Sequence, residues 1–174
     1  CELKKTQINE NDFIFYKHYQ PEATSNPLSL PMTNQEQCIN YLLKTKKNIF
    51  VKEHPTALSF NNRHFNKCLN KISDIFFYKK NGIKLINSKY SGNHICVTLS
   101  GTPGLENALL GHKVVCFSKP WYYFLPNVHI YRNKKNLELF LDDRKSYDIK
   151  EIKKQLLNFI NDYTAEFKIK DTLK

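Results

Sequence analysis

The chain has 174 residues, enough for one α/β domain with a proper core. Its 41% hydrophobic and 13% aromatic content is that of a folded protein, and it holds no apolar run of the ~18 residues that a membrane-crossing helix needs. The formal net charge is +11, and eleven Lys or Arg fall between Lys44 and Lys89 against only Glu53 and Asp74. That excess favours an anionic partner, whether nucleic acid, an acidic membrane surface, a nucleotide or a polyanionic substrate, without choosing among them.

The chain opens at Cys1 with a polar segment, 1–11, that lacks the apolar stretch of a signal peptide and reads as the boundary of a fragment. "DFIFY" (12–16) predicts a strand, and residues 18–32, with three prolines, a long loop. Thr33 and Glu36 predict a capping box before a helix to about Lys44 with Cys38, Ile39, Leu42 and Leu43 on its apolar side. "NIFVK" (48–52) predicts a second strand, residues 62–73 a helix, "IKLI" (83–86) a short strand and "HICVTL" (94–99) another. A helix over 103–110 closing on Gly111 follows, then strands at 113–117 and 128–131 and a short helix over 136–143. Ile149, Ile152, Leu156, Phe159, Ile160 and Tyr163 set a C-terminal amphipathic helix. The aromatic run "KPWYYFLPNV" (119–128) suits core or an interdomain face, with stacking by Trp121 or Tyr122 as the alternative. The five cysteines (1, 38, 68, 96, 116) have no metal-ligand spacing and read as reduced thiols, Cys96 and Cys116 in the core.

Apolar strands alternating with helices predict a Rossmann-like parallel sheet with helices on both faces. The domain boundaries expected are a polar segment 1–11, a Rossmann-like domain 12–146, and a C-terminal helix and tail 147–174. Such sheets bind ligands at the carboxyl ends of their strands. Three loops there carry chemistry. After "FVK" come His54 and Pro55: an imidazole can donate to a phosphate oxygen, and the proline stiffens the loop. After "HICVTL" comes "SGTPGLENALLG" (100–111). Thr102 is placed as N-cap and Pro103 as first helical residue, while Gly104 lets a ligand approach the backbone. The first-turn N–H groups, with Ser100, Gly101 and Thr102, make an anion cradle, and Glu106 could accept from ribose hydroxyls. An ordinary capped helix is the alternative. After the first strand, His18, Gln20 and Glu22 face the same cleft, or else simply solvent. No Ser-His-Asp pattern, P-loop lysine or GxGxxG is present.

"HYQPEAT" followed by a helix, then "FVKEHP", then "SGTPGLENALLGHKVVCF" resembles the capsule polysaccharide biosynthesis glycosyltransferases, relatives of the transferases that add Kdo or other sugars to bacterial surface glycans. The likeness runs over residues 12–131. It implies the C-terminal, donor-binding half of a GT-B fold and a metal-independent glycosyltransferase. By that resemblance His54 contacts the donor phosphate as the catalytic group, with Pro55 beside it. Ser100, Gly101, Thr102 and Gly104 cradle the nucleotide, Glu106 holds its ribose or base side, and Gln20 and Glu22 border the sugar. The family's Glu-Ala reads Glu-Asn-Ala here, so Asn107 departs from the pattern, as do His112 and Val114. No acceptor half precedes residue 12, and with it a general base is missing.

The implied partners are a nucleotide sugar (a CMP-sugar favoured, UDP- or GDP-sugars open), a glycan or glycolipid acceptor, and an N-terminal acceptor domain. No cofactor, metal or nucleic acid is expected, and the location is cytoplasmic, with peripheral association to the inner membrane. The rival readings are a sugar-nucleotide epimerase of GT-B-like architecture, a basic polyanion-binding module, and a non-catalytic remnant of the fold. No aromatic RNA-binding strand supports nucleic acid.

Overall fold

A computed structural model describes residues 12–18, 34–45, 47–52, 75–78, 94–143 and 145–172, with side chains at all of these except 75–78 and 164–172. Four short strands, β1 (Phe13–Tyr16), β2 (Ile49–Lys52), β4 (Ile95–Thr98) and β5 (Lys113–Cys116), form the middle of a parallel sheet. β3 (Ile75–Tyr78) and β6 (Val128–Ile130) complete the order β3-β2-β1-β4-β5-β6. Every pairing is parallel, with Phe13 opposite both Ile49 and Ile95. β3 was not singled out from the sequence. The expected strand at 83–86 and helix at 62–73 lie outside the described residues.

Because side chains alternate along a strand, each strand feeds two cores. On one face Phe13, Phe15, Ile49, Val51, Ile95, Val97 and Val115 pack under α1 (Gln35–Leu43) and α3 (Lys134–Asp142). On the other, Ile14, Tyr16, Phe50, Cys96, Val114 and Cys116 pack under α2 (Thr102–Leu109) and α4 (Ile149–Thr172). Burial on both faces explains the continuous apolar strands, and it bears out the Rossmann-like class with helices on both sides. Cys38, Cys96 and Cys116 are buried free thiols, and burial pushes the Cys116 thiol up to about 12.

The helix ends refine the sequence reading. α1 is capped by Asn34, whose side chain accepts from the N–H groups of Glu36 and Gln37 at 2.9 and 3.2 Å. Asn is among the strongest N-caps, so the helix starts one residue later than a Thr33 cap implies; Thr33 lies outside the described residues. α3 ends on a cation: the Lys113 ammonium donates to the carbonyls of Phe140 (2.7 Å), Leu141 (3.0 Å) and Asp143. α2 ends at Gly111, whose φ of +85° is the left-handed conformation that glycine adopts without strain.

A buried polar network is built around Asn107 of α2 and His112 just beyond it. Asn107 donates to the Pro103 carbonyl at 2.8 Å, which leaves its oxygen to accept from His94 Nε2 at 3.0 Å. The His94 and His112 rings lie 4.0 Å apart. Asn127 then donates to the carbonyls of Ala108 and His112 at 2.9 and 2.7 Å, tying the end of α2 and the residue before β5 to the start of β6. Burial, reinforced by His94, lowers the His112 pKa from 6.5 to about 4. The unfolded chain therefore binds the extra proton between those values, and stability falls as pH drops from about 6.5 towards 4. Urea midpoints followed across that window should decline with acidification, and His112→Gln should flatten the slope.

Candidate functional site

The strand order reverses between β1 and β4, where the chain, having run outward through β2 and β3, returns to the middle. At such a switch point the loops leaving the strands diverge, and a crevice opens beyond their carboxyl ends. Residues 17–18 leave β1 on one side of it, and residues 99–102 leave β4 on the other.

The β1 side is fixed by α1. The Gln35 side chain, buried, accepts from the His18 N–H at 2.8 Å and donates to the His18 carbonyl at 3.1 Å. This two-point pairing holds the backbone at residue 18 as a neighbouring strand would. The His18 imidazole then crosses to the β4 side, where Nε2 lies 2.9 Å from Thr98 Oγ1 and the Ser100 N–H reaches it at 3.5 Å. Thr98 Oγ1 also accepts from the Gly101 N–H at 3.3 Å.

From the other side, Tyr122 closes on the same turn. Its hydroxyl donates to the Gly101 carbonyl at 2.6 Å, which also accepts from the Gly104 N–H at 3.0 Å. Both glycines are required by these neighbours. A Cβ on Gly101 would lie 2.9 Å from two atoms of the His18 ring, and one on Gly104 would lie 2.1 Å from the Tyr122 hydroxyl. Two expectations are thereby corrected. Gly104 is buried against Tyr122, so the close approach it permits is by a tyrosine and not by a ligand. The N-cap of α2 is Gly101, extended at φ −76° and ψ 163°, and not Thr102. The helix starts one residue earlier because the Gly101 carbonyl opens its hydrogen bonding, and Pro103 moves to the second helical position. The Thr102 hydroxyl is left exposed and uncommitted to capping, and the Thr102 N–H has no partner among the described residues.

Ser100, Gly101 and Thr102 do come together as one turn at the crevice, as the sequence predicted. Glu106, exposed one helical turn further on, acts electrostatically on Lys52 at the end of β2. Sequence reasoning passed over Lys52. Its ammonium lies 4.6 Å over the Tyr16 ring, and half-burial lowers its pKa while Glu106 opposes the shift. Tyr16 sits opposite Lys52 in the sheet, and its hydroxyl is buried close to the Asn107 side chain. Burial, chiefly, raises its pKa. Gln20, Glu22, His54 and Pro55 lie outside the described residues. Tyr122 is buried structure, so it is not free to stack on a ligand, whereas Trp121 is exposed and meets it edge-on. Among the described residues no three His, Cys, Asp or Glu gather as a metal site, and no helix is long and apolar enough to cross a membrane.

Sheet order, two-sided helical cover and the crevice define a Rossmann-like α/β domain. No protein-family model and no curated protein sequence matches the chain. Among solved structures it is similar to Thermosulfurimonas dismutans KpsC, a beta Kdo 2,7 transferase, with a TM-score of 0.56 and 12% sequence identity. The match covers 86% of this chain and 46% of that one, so the chain spans a little under half the length of the transferase. At this identity the likeness is one of fold.

The packing at the turn is directly testable. Gly104→Ala should destabilise the protein by about 1–3 kcal/mol, because the added methyl overlaps the Tyr122 hydroxyl. Tyr122→Phe should cost about 1 kcal/mol for its lost hydrogen bond. The double variant should cost less than the two summed in chemical denaturation, since removing the hydroxyl relieves the overlap.

Proposed function

We propose that the chain is the nucleotide-sugar-binding domain of a metal-independent GT-B glycosyltransferase acting in capsule or surface-polysaccharide biosynthesis. The observation that carries this reading is the switch-point crevice. Its mouth is a Ser-Gly-Thr turn at a helix N-terminus after β4, with the Lys52 ammonium at the end of β2 on the far side of β1, in a fold similar to that of a Kdo transferase. The sequence resemblance around "HYQPEAT", "EHP" and "SGTPGLE" supports the same assignment.

In this reading the donor's phosphate lies at the turn. The bond between the sugar's anomeric carbon and the phosphate oxygen breaks, and an acceptor hydroxyl oxygen bonds to that carbon. The hydroxyl's proton goes to a base supplied by an acceptor-binding half. The leaving nucleotide gains negative charge. The Thr102 N–H, the α2 dipole, Lys52 and the His54 imidazole are the groups to stabilise it. Glu106 accepts from the ribose hydroxyls, and Gln20 and Glu22 border the sugar. A +11 charge suits an anionic donor and acceptor and a cytoplasmic position against inner-membrane headgroups.

Calorimetric titration with CMP, UDP and GDP tests the reading, and one of the three should bind selectively. Thr102→Pro removes the uncommitted N–H at a helix position that tolerates proline, and should weaken binding about tenfold with the fold retained. His54→Ala should abolish transfer in the intact enzyme. Indifference of the wild-type chain to all three nucleotides, with intact melting behaviour, would count against the assignment.

A further inference from the structure

The Ser100–Thr102 turn is held from the β1 side by one imidazole, and the direction of its hydrogen bonds can be worked out. A backbone N–H only donates, so the Ser100 N–H makes His18 Nε2 an acceptor. The Gly101 N–H already occupies one lone pair of Thr98 Oγ1, and the threonine has one hydroxyl proton to give. With Nε2 accepting, that proton points at His18 along the 2.9 Å contact. Two donors thus converge on one ring nitrogen, which requires a neutral imidazole carrying its proton on Nδ1.

We propose that His18 is a positioning residue of the crevice. Its unprotonated Nε2 orients the Thr98 hydroxyl and the Ser100 N–H and so sets the shape of the turn that receives the ligand's phosphate. The proposal rests on the nucleotide reading only for the identity of that ligand. The two contacts do different work. The Thr98 contact is of ordinary length and anchors the turn through Gly101. The Ser100 contact is long at 3.5 Å, so its N–H is a donor that an arriving anion can take at small cost. The ring edge also lies 2.9 Å from where a Gly101 Cβ would sit, which places the imidazole against the backbone of the turn itself.

The Gln35 pairing makes this testable, because it holds the backbone of residue 18 without help from the ring. His18→Leu removes the acceptor and keeps the bulk, while His18→Gln restores a polar atom at the Nε2 position. In the free protein, long-range proton–nitrogen spectra of the labelled imidazole should show Nε2 unprotonated. Amide exchange at Ser100 and Gly101 should accelerate about tenfold or more in His18→Leu and return towards the wild-type rate in His18→Gln. A nucleotide that binds the wild type should bind His18→Leu about tenfold more weakly, with most of the loss recovered in His18→Gln. A protonated Nε2, or unchanged exchange in His18→Leu, would overturn the proposal. If no nucleotide binds the wild type while the spectra and exchange behave as expected, the nucleotide reading fails and the positioning role stands.

Discussion

The Tyr122 hydroxyl, brought back from the segment after β5 to the Gly101 carbonyl, is the contact on which the rest of the crevice depends. It fixes the carbonyl that opens α2, and it occupies the space where Gly104 would otherwise carry a side chain. Once that carbonyl is held, the turn can shift only by moving against His18 on its other side. Two aromatic rings from distant parts of the chain therefore trap a stretch at its two glycines, Gly101 and Gly104. A buried tyrosine hydroxyl without a partner is costly, so packing and hydrogen bonding favour the same arrangement.

The lower end of α2 is constrained as firmly, by a different device. Asn107, His94, His112 and Asn127 join the helix end to the starts of β4 and β5 through buried hydrogen bonds and a tilted imidazole pair in contact. Asn inside a helix is ordinarily a weak choice, because its side chain competes for backbone groups. Here the competition is used, since the amide bonds the Pro103 carbonyl within its own helix and the histidine outside it. α4 then starts beside Gly111, and by Phe159 it has reached Trp121 and Phe124 next to Tyr122. The helix that carries the turn is thus secured at both ends before any ligand is considered.

How much of this could be read from the sequence follows from the range of each signal. The strands other than β3 and the helices α1, α2, α3 and α4 show as local periodicity, and the parallel sheet follows from their alternation. The Ser-Gly-Thr turn was legible because small residues between an apolar strand and a helix have few other uses. Its cause was not. Gly104 looks the same whether a ligand or Tyr122 approaches it, and the 17 residues between Gly104 and Tyr122 carry no pattern that relates them. Lys52 was hidden inside a strand motif that ended more conspicuously in His54 and Pro55. His18 was visible as a polar group facing the cleft, but its partner Thr98 reads as ordinary strand. The Asn34 cap was displaced by one residue because Thr33 and Glu36 happen to fit a capping box.

The same hydrogen-bond accounting limits what the described crevice can do alone. The Gly101 N–H and carbonyl are committed to Thr98, Tyr122 and Gly104, and the Ser100 N–H is directed at His18. Beside the Ser100 N–H, whose long contact with His18 an anion can displace, what remains for a ligand is the Thr102 N–H, two hydroxyls, the Lys52 ammonium and the Glu106 carboxylate. Hydrogen bonds of this kind are each worth about 1 kcal/mol net, so three to five of them supply about 3–5 kcal/mol. That corresponds to roughly millimolar affinity, before any cost of ordering the ligand. A turn held this rigidly is suited to orientation more than to tight capture. Strong binding then has to come from additional surface closing over the same crevice.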